Sequence, residues 1–440
     1  MRRIAISHSL VANGGDAAIL LGTLRVLGDA FGNAEVLVYD ALPEVARRHY
    51  PELDVRPALH LAAFPLAEGG ALRRKLRGVH WLHRRPRWLA AARAVRRGRG
   101  TRAQALVGAD GAAALRELAD AGASVASGGT YLVETYWLGP TLLDAEIAAA
   151  LGVPQAFLTQ SLGPFSTTRG TVARALGSLR LLLLRDERSL GHARTLGLDV
   201  PMRVSADTAF ALAEPGVLAA AAERRWPATP RVAVSVRDWP YLTRADGQNG
   251  YEDAVGALVT HLVRTHGATV DFVSTCQGNS EYRYDDAAVA ARIAAALPED
   301  VRGAVTVETA YRRPEALMQT YGAADLVVAT RMHAAILALS AGTPVLPISY
   351  EFKTAELFAR LGAADWCVEI ETITGDALVE HADAVIGELD ALRAGLMARV
   401  ESMRTQARGT AADLRAAFPN LAAARETTPD GPSADGGPPC

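Results

Sequence analysis

Short apolar or β-branched runs alternate along the chain with longer stretches rich in Ala, Leu and Arg. The runs "RIAIS", "AEVLVYD", "ASVASGG", "PQAFLTQSLGP", "LLLLRDE" and "MRVSAD" predict strands. Between several of them, "DAAILLGTLRVLGDAF" and "LLDAEIAAALG" carry apolar residues at helical spacing. This alternation is the βαβ signature of a mostly parallel sheet covered on both faces. The rhythm breaks at "ALAEPGVLAAAAERRWPATP" and restarts with "RVAVSV", "ATVDFVS", "GAVTVE", "DLVVAT" and "TPVLPIS". The pattern predicts an α/β protein of two Rossmann-like, doubly wound domains, over residues 1–213 and 229–375. Residues 376–422 keep a helical pattern and should pack back across the junction. Residues 425–440, rich in Pro, Gly and Ser, are expected to be disordered.

Length agrees with that division, since 440 residues exceed what one core usually serves. A net charge of -2 gives no global pull toward nucleic acid, and no nucleic-acid partner is expected. Three cysteines with no CxxC and no paired-His spacing imply a reducing compartment, no disulfide framework and no metal site. The apolar run at the N-terminus breaks at His8, too early for a signal peptide. No apolar run approaches the ~20 residues of a membrane span. A cytoplasmic protein is the expectation.

One segment departs from this balance. Residues 73–102 hold twelve of the 46 basic residues and no acid, with Trp81 and Trp88 among them. It reads as a solvated helical arm, or as a docking surface for an anionic membrane or a polyanionic acceptor. In the second case the tryptophans would be interfacial anchors and each Lys/Arg near the bilayer would add ~1 kcal/mol. A peripheral position at the inner face of the membrane is therefore left open.

Ligands of open α/β sheets bind beyond the carboxyl ends of the strands, so the residues after each strand carry the chemistry. In the second domain "VAVSV" runs into Arg237-Asp238-Trp239, "LVVAT" into Arg331-Met332-His333, and "VLPIS" into Tyr350 and Lys353. Three cations and an imidazole converge there, and unpaired cations in a crevice call for a counter-ion. A small multiply charged anion fits, because Arg forks match carboxylate and phosphate. The helix starting near His333 adds free N–H groups. In the first domain Asn13-Gly14-Gly15-Asp16 resembles a glycine-rich phosphate turn, although Asp16 opposes an anion and suits hydroxyl binding or proton abstraction. Gly129 in "SGGTYL" and the glycine of "QSLGP" allow close backbone approach. Arg185-Asp186 and Asp207 also end strands and read as structural.

Together these pieces resemble the polysaccharide pyruvyl transferase family. The resemblance rests on "NGGDAAI", "SGGTYL", "QSLGPF", "RDERS", "SVRDW" and "ADLVVATRMHAAILALSAGTPVLPISYEFKTAELFARLG", in order across roughly residues 4 to 370. It implies two Rossmann-like domains in a GT-B-like arrangement, with the acceptor on the first and phosphoenolpyruvate on the second. It implies transfer of the pyruvyl group to two hydroxyls of a sugar, forming a cyclic ketal. Arg331, His333 and Arg237 would then contact phosphoenolpyruvate. No cofactor is called for beyond that donor substrate. Protonation at C3 of the enol needs an acid, and imidazole, with an ordinary pKa of ~6.5, suits it. His333 and Asp16 are the catalytic candidates, with Asp238 a further base. Arg237, Arg331, Met332, Lys353, Asn13, Gly15 and Gly129 are the binding candidates. The acceptor is a sugar or glycan, with a lipid-linked form left open. Two rivals remain: a GT-B nucleotide-sugar glycosyltransferase using Glu351 or Glu356 on a ribose, and a non-catalytic binding protein of glycan assembly.

Overall fold

Runs of Val, Ile and Leu buried on both faces become two wholly parallel sheets. The computed structural model describes residues 3–64, 71–244 and 246–426, the side chains of 71–80 and 424–426 excepted. The expectation for the tail from 427 onward lies outside the described residues. The first sheet contains β1 (Arg3–Ser9), β2 (Glu35–Asp40), β3 (Asp54–Pro57), β4 (Ala123–Ala126), β5 (Gly129–Leu132), β6 (Gln155–Leu162), β7 (Leu181–Leu184) and β8 (Met202–Val204). Their order is β3-β2-β1-β4-β6-β7-β8, with β5 beside β6. The second contains β9 (Arg231–Ser235), β10 (Thr269–Phe272), β11 (Val305–Val307), β12 (Leu326–Ala329), β13 (Val345–Ser349) and β14 (Val368–Glu369), in the order β11-β10-β9-β12-β13-β14.

Both orders are doubly wound, so each sheet reverses direction once, between β1 and β4 and between β9 and β12. The crevice at such a reversal is where ligands of these folds sit. Three strands escaped the periodicity. β3 is a polar edge strand, β5 opens on a glycine, and β14 is two residues long.

The two domains meet at their strand-end loops. The backbone N–H of Gly14 donates to the Thr275 carbonyl at 2.7 Å, and the Tyr311 hydroxyl donates to the Val11 carbonyl at 2.8 Å. A Cβ on Gly14 would stand 2.8 Å from the Thr275 oxygen, so glycine is what permits this approach. The helix Gly375–Ala417 spans the junction. It starts beside the helix Gly247–His266 and ends beside the helix Gly14–Phe31, where Arg408 pairs with Asp29.

The basic segment forms the helix Ala71–Arg96. Trp88 is 5 % exposed within a core shared with Ala103, Leu115 and Ile147. Trp81 packs at a tilt against Phe64 at 4.7 Å and edge-on against Trp137 at 5.4 Å. Trp88 is therefore not a free interfacial anchor, since burying its indole against the domain is worth more than holding it in water, whereas Trp81 is half-buried beside the exposed Trp137. Arg85 is tied to Glu146 on the helix Leu138–Leu151. Among the described residues no helix is long and apolar enough to cross a membrane.

Candidate active site

The carboxyl ends of β1, β9, β12 and β13 open onto one cavity of about 480 Å³ between the domains. Its wall carries five Lys/Arg side chains (Arg185, Arg237, Arg283, Arg331 and Lys353) against two carboxylates, Asp16 and Glu351. An anion is the complementary ligand.

The cations are not equivalent. Arg331 is held by Asp286 through a bidentate pair, Nε to Oδ2 at 2.9 Å and Nη2 to Oδ1 at 2.7 Å. Asp286 is fully buried at the start of the helix Asp286–Ala296. Burial works against the Arg331 charge, but Asp286 outweighs it and keeps the guanidinium well above its ordinary pKa. Lys353 Nζ sits 2.6 Å from Glu351. The expectation of three unpaired cations is thereby corrected, because desolvated charges here are neutralised by buried partners. Arg237 is the exception. Among the described residues it forms no carboxylate pair, and its guanidinium packs against both Trp239 at 4.4 Å and Tyr350 at 4.0 Å, whose rings are 4.6 Å apart. The rings hold its charge without neutralising it.

His333 lies in the first turn of the helix Met332–Ser340, with Arg331 as the N-cap. Its Nε2 is 3.5 Å from Asp207 Oδ2 and makes no hydrogen bond. Asp207 also accepts Arg185 Nη1 at 3.0 Å, and its other oxygen accepts the Ala209 N–H at 3.0 Å. Burial opposes the Asp207 charge, but His333 and Arg185 hold its carboxyl well below the usual range. Arg185 and Asp207, read from sequence as structural, thus frame the imidazole. Met332 lines the cavity at 5 % exposure, packed into the core.

From the other domain, Asn13 and Asp16 reach the same wall. The Asn13 amide is committed within its own helix, accepting the Gly15 N–H at 2.9 Å and donating to Asp16 Oδ2 at 2.9 Å. It positions Asp16. Loss of solvation pushes the Asp16 carboxyl up, opposed by His333, Lys353 and Arg185. Gly15 is not part of the cavity wall; its Cα faces the His333 ring, and a Cβ there would lie 2.7 Å from Nδ1. Gly129 lines the cavity within β5. Asp238 is exposed and outside the lining, so it is no base for this cavity. Glu356 borders a separate small crevice beside Arg185.

Two residue sets were missed in the sequence. His60 Nδ1 lies 2.8 Å from Asp144 Oδ2, while Asp144 Oδ1 accepts the His60 backbone N–H at 2.9 Å. Burial lowers the His60 pKa, but Asp144 outweighs it and raises it. His8, at the end of β1, takes a left-handed φ of 64° and stacks on Tyr131 at 4.6 Å. Such backbone conformations in a non-glycine residue gather at functional sites. Burial pushes its imidazole pKa down. Both histidines line the cavity from the first domain. His60 follows β3, so the strand-end rule finds it once β3 is recognised.

Comparison with known proteins follows the same outline. The family pattern described as polysaccharide pyruvyl transferase matches residues 13–351. The amylovoran biosynthesis protein AmsJ of Erwinia amylovora is 25% identical over 298 residues, 65% of this chain and 71% of that protein. Among solved structures, Anabaena Alr3699/HepE in complex with UDP-glucose superposes with a TM-score of 0.51 at 13% identity, over 97% of this chain and 100% of that one. The S. aureus MnaA–UDP structure gives 0.55 at 10% identity, over 99% and 100%. Likeness at these identities concerns fold alone: two parallel Rossmann-like sheets arranged as in GT-B proteins.

Proposed function

The chain belongs to the polysaccharide pyruvyl transferase family, and from that premise we propose that it moves the three-carbon group of phosphoenolpyruvate onto two hydroxyls of one sugar, closing a cyclic ketal. The observation that carries this reading is Arg237, a cation without a carboxylate pair among the described residues, packed against two rings at the wall that also presents the His333–Asp207 pair. Phosphoenolpyruvate brings a carboxylate and a phosphate. Arg237 is free to take one of them, and Arg331 and Lys353 add field without surrendering their carboxylate partners.

The chemistry divides between the two domains. His333 gives a proton to C3 of the enol, turning the methylene into a methyl and placing positive charge on C2. Asp207, held ionised 3.5 Å from Nε2, stabilises the imidazolium before transfer. A sugar hydroxyl adds to C2 and loses its proton to Nε2 of His60, whose Nδ1 is occupied by Asp144. The C2–O bond to phosphate then breaks, the second hydroxyl adds to C2, and its proton leaves with inorganic phosphate. The two hydroxyl protons thus go to His60 and to phosphate while C3 takes its proton from His333. Exchange with solvent then deprotonates His60 and reprotonates His333 for the next turnover. Asp16, at the helix start between the two sides, suits one acceptor hydroxyl. The sugar faces the first domain, where His8, Tyr131 and Thr141 line the cavity.

The discriminating experiment is thermal denaturation with phosphoenolpyruvate or UDP at equal concentration. Phosphoenolpyruvate should raise the melting temperature in wild type and less in Arg237→Ala. Stabilisation by UDP alone would favour a nucleotide-sugar transferase and overturn the reading.

A further inference from the structure

On the far side of the second domain, His261 and His266 sit in the last turns of the helix Gly247–His266, facing the long helix Gly375–Ala417. Both imidazoles aim Nε2 at the same atom, Asp383 Oδ1, each at 2.9 Å. The three ligand atoms lie within 4.8 Å of one another. We propose that these residues form a divalent transition-metal site, with zinc as the natural occupant, that clamps the two helices together.

Three features carry the assignment. First, both Nε2 atoms and Asp383 Oδ1 converge on one point, each N–O edge at 2.9 Å. Tetrahedral ligands about 2.0–2.2 Å from zinc stand ~3.3–3.6 Å apart, so the three atoms need open by only about 0.4–0.7 Å to take the ion. Second, a tautomer that suits ligation has a partner. His261 Nδ1 lies 3.2 Å from the Thr265 hydroxyl, so a proton on Nδ1 can be donated there and leave the Nε2 lone pair free. Third, the carboxylate is 44% exposed and each imidazole about one-fifth exposed, so an ion and its completing water can enter. Two imidazoles and a carboxylate suit zinc, nickel or copper(II). The proposal departs from the expectation of no metal site. His261 and His266 are five positions apart rather than four, and the third ligand is 117 residues from His266, so no spacing rule exposes it.

The full chain, freed of metal with EDTA and titrated with Zn²⁺ by calorimetry, should bind one equivalent and melt at a higher temperature. Asp383→Asn and the double variant His261→Ala/His266→Ala should each weaken that equivalent by at least ~10-fold, and Thr265→Val by ~10-fold or more through loss of the orienting hydroxyl. Ni²⁺ should quench the fluorescence of Trp226, whose ring is 6.1 Å from that of His266, and Trp226→Phe should remove the quenched component. No zinc uptake by wild type at micromolar concentration, or an unchanged equivalent in the double variant, would overturn the site. None of these readouts depends on phosphoenolpyruvate chemistry.

Discussion

Gly15 gives the sharpest perturbation of the imidazole proposed as the acid, because it touches His333 without belonging to the cavity. It lies in the first turn of the helix Gly14–Phe31 and outside the left-handed region. Alanine there suffers no backbone strain and should favour the helix by up to ~1 kcal/mol. Its Cβ, however, would stand 2.7 Å from His333 Nδ1, 2.8 Å from Cβ and 2.9 Å from Cγ. Ordinary contact begins near 3.4 Å, so the ring must retreat by about 0.7 Å. It cannot swing freely, since the clash includes its own Cβ and its far side faces Asp207, braced by Arg185. Misplacing a reacting group by about 1 Å can cost ~100-fold. Gly15→Ala should therefore lower kcat by roughly 10- to 100-fold and leave the phosphoenolpyruvate-induced melting shift nearly intact. Phosphate release with phosphoenolpyruvate and a panel of simple hexopyranosides measures the first, and thermal denaturation the second. Full kcat in a folded Gly15→Ala protein would refute the packing argument.

His333→Ala should lose ~10²–10⁴-fold in turnover while still being stabilised by phosphoenolpyruvate; retention of turnover would exclude it as the acid. Arg331→Ala should do more than weaken binding. It strands Asp286 in the core, so unfolding by denaturant should show a loss of about 3–5 kcal/mol, and unchanged stability would mean the pair is not formed. Asp207 has a depressed carboxyl, so its stabilising share is present above the unfolded value of ~3.9 and vanishes as pH falls through the folded one. Asp207→Asn should accordingly lose less stability on acidification than wild type does, as followed by melting temperature against pH. His60, with a raised pKa, should set the acid limb of kcat/KM, which falls as pH drops and the ring becomes protonated. In His60→Ala turnover should drop and the limb should disappear; an unchanged profile would reject the base.

Legibility in the sequence followed physical scale. Strands buried on both faces, such as "LVVA" and "LLLL", announce themselves by composition, and both sheets could be read from them. β3 and β14 could not, since edge strands of two to four residues have no face to repeat. Arg331 and His333 were visible because a cation and an imidazole at a strand-to-helix join are unusual. Their partners were not. Asp286 opens a helix 45 residues away and does not look unusual in one dimension, while Asp207, seen at a strand end and read as structural, caps a short 3-10 turn and gave no sign of facing His333. Gly15 was legible as part of a glycine-rich turn resembling a phosphate site, but what it packs against is His333 rather than a ligand. Trp81 and Trp88 suggested an interface because a basic helix hides which of its faces is packed.

The central claim is that this cavity joins phosphoenolpyruvate to a diol, and product analysis tests it most directly. Wild type incubated with phosphoenolpyruvate and the acceptor panel should release inorganic phosphate in step with a sugar that gains one pyruvate less one water. His333→Ala should form neither. Phosphate release without that sugar product, or sugar transfer from a nucleotide donor with phosphoenolpyruvate untouched, would contradict the account.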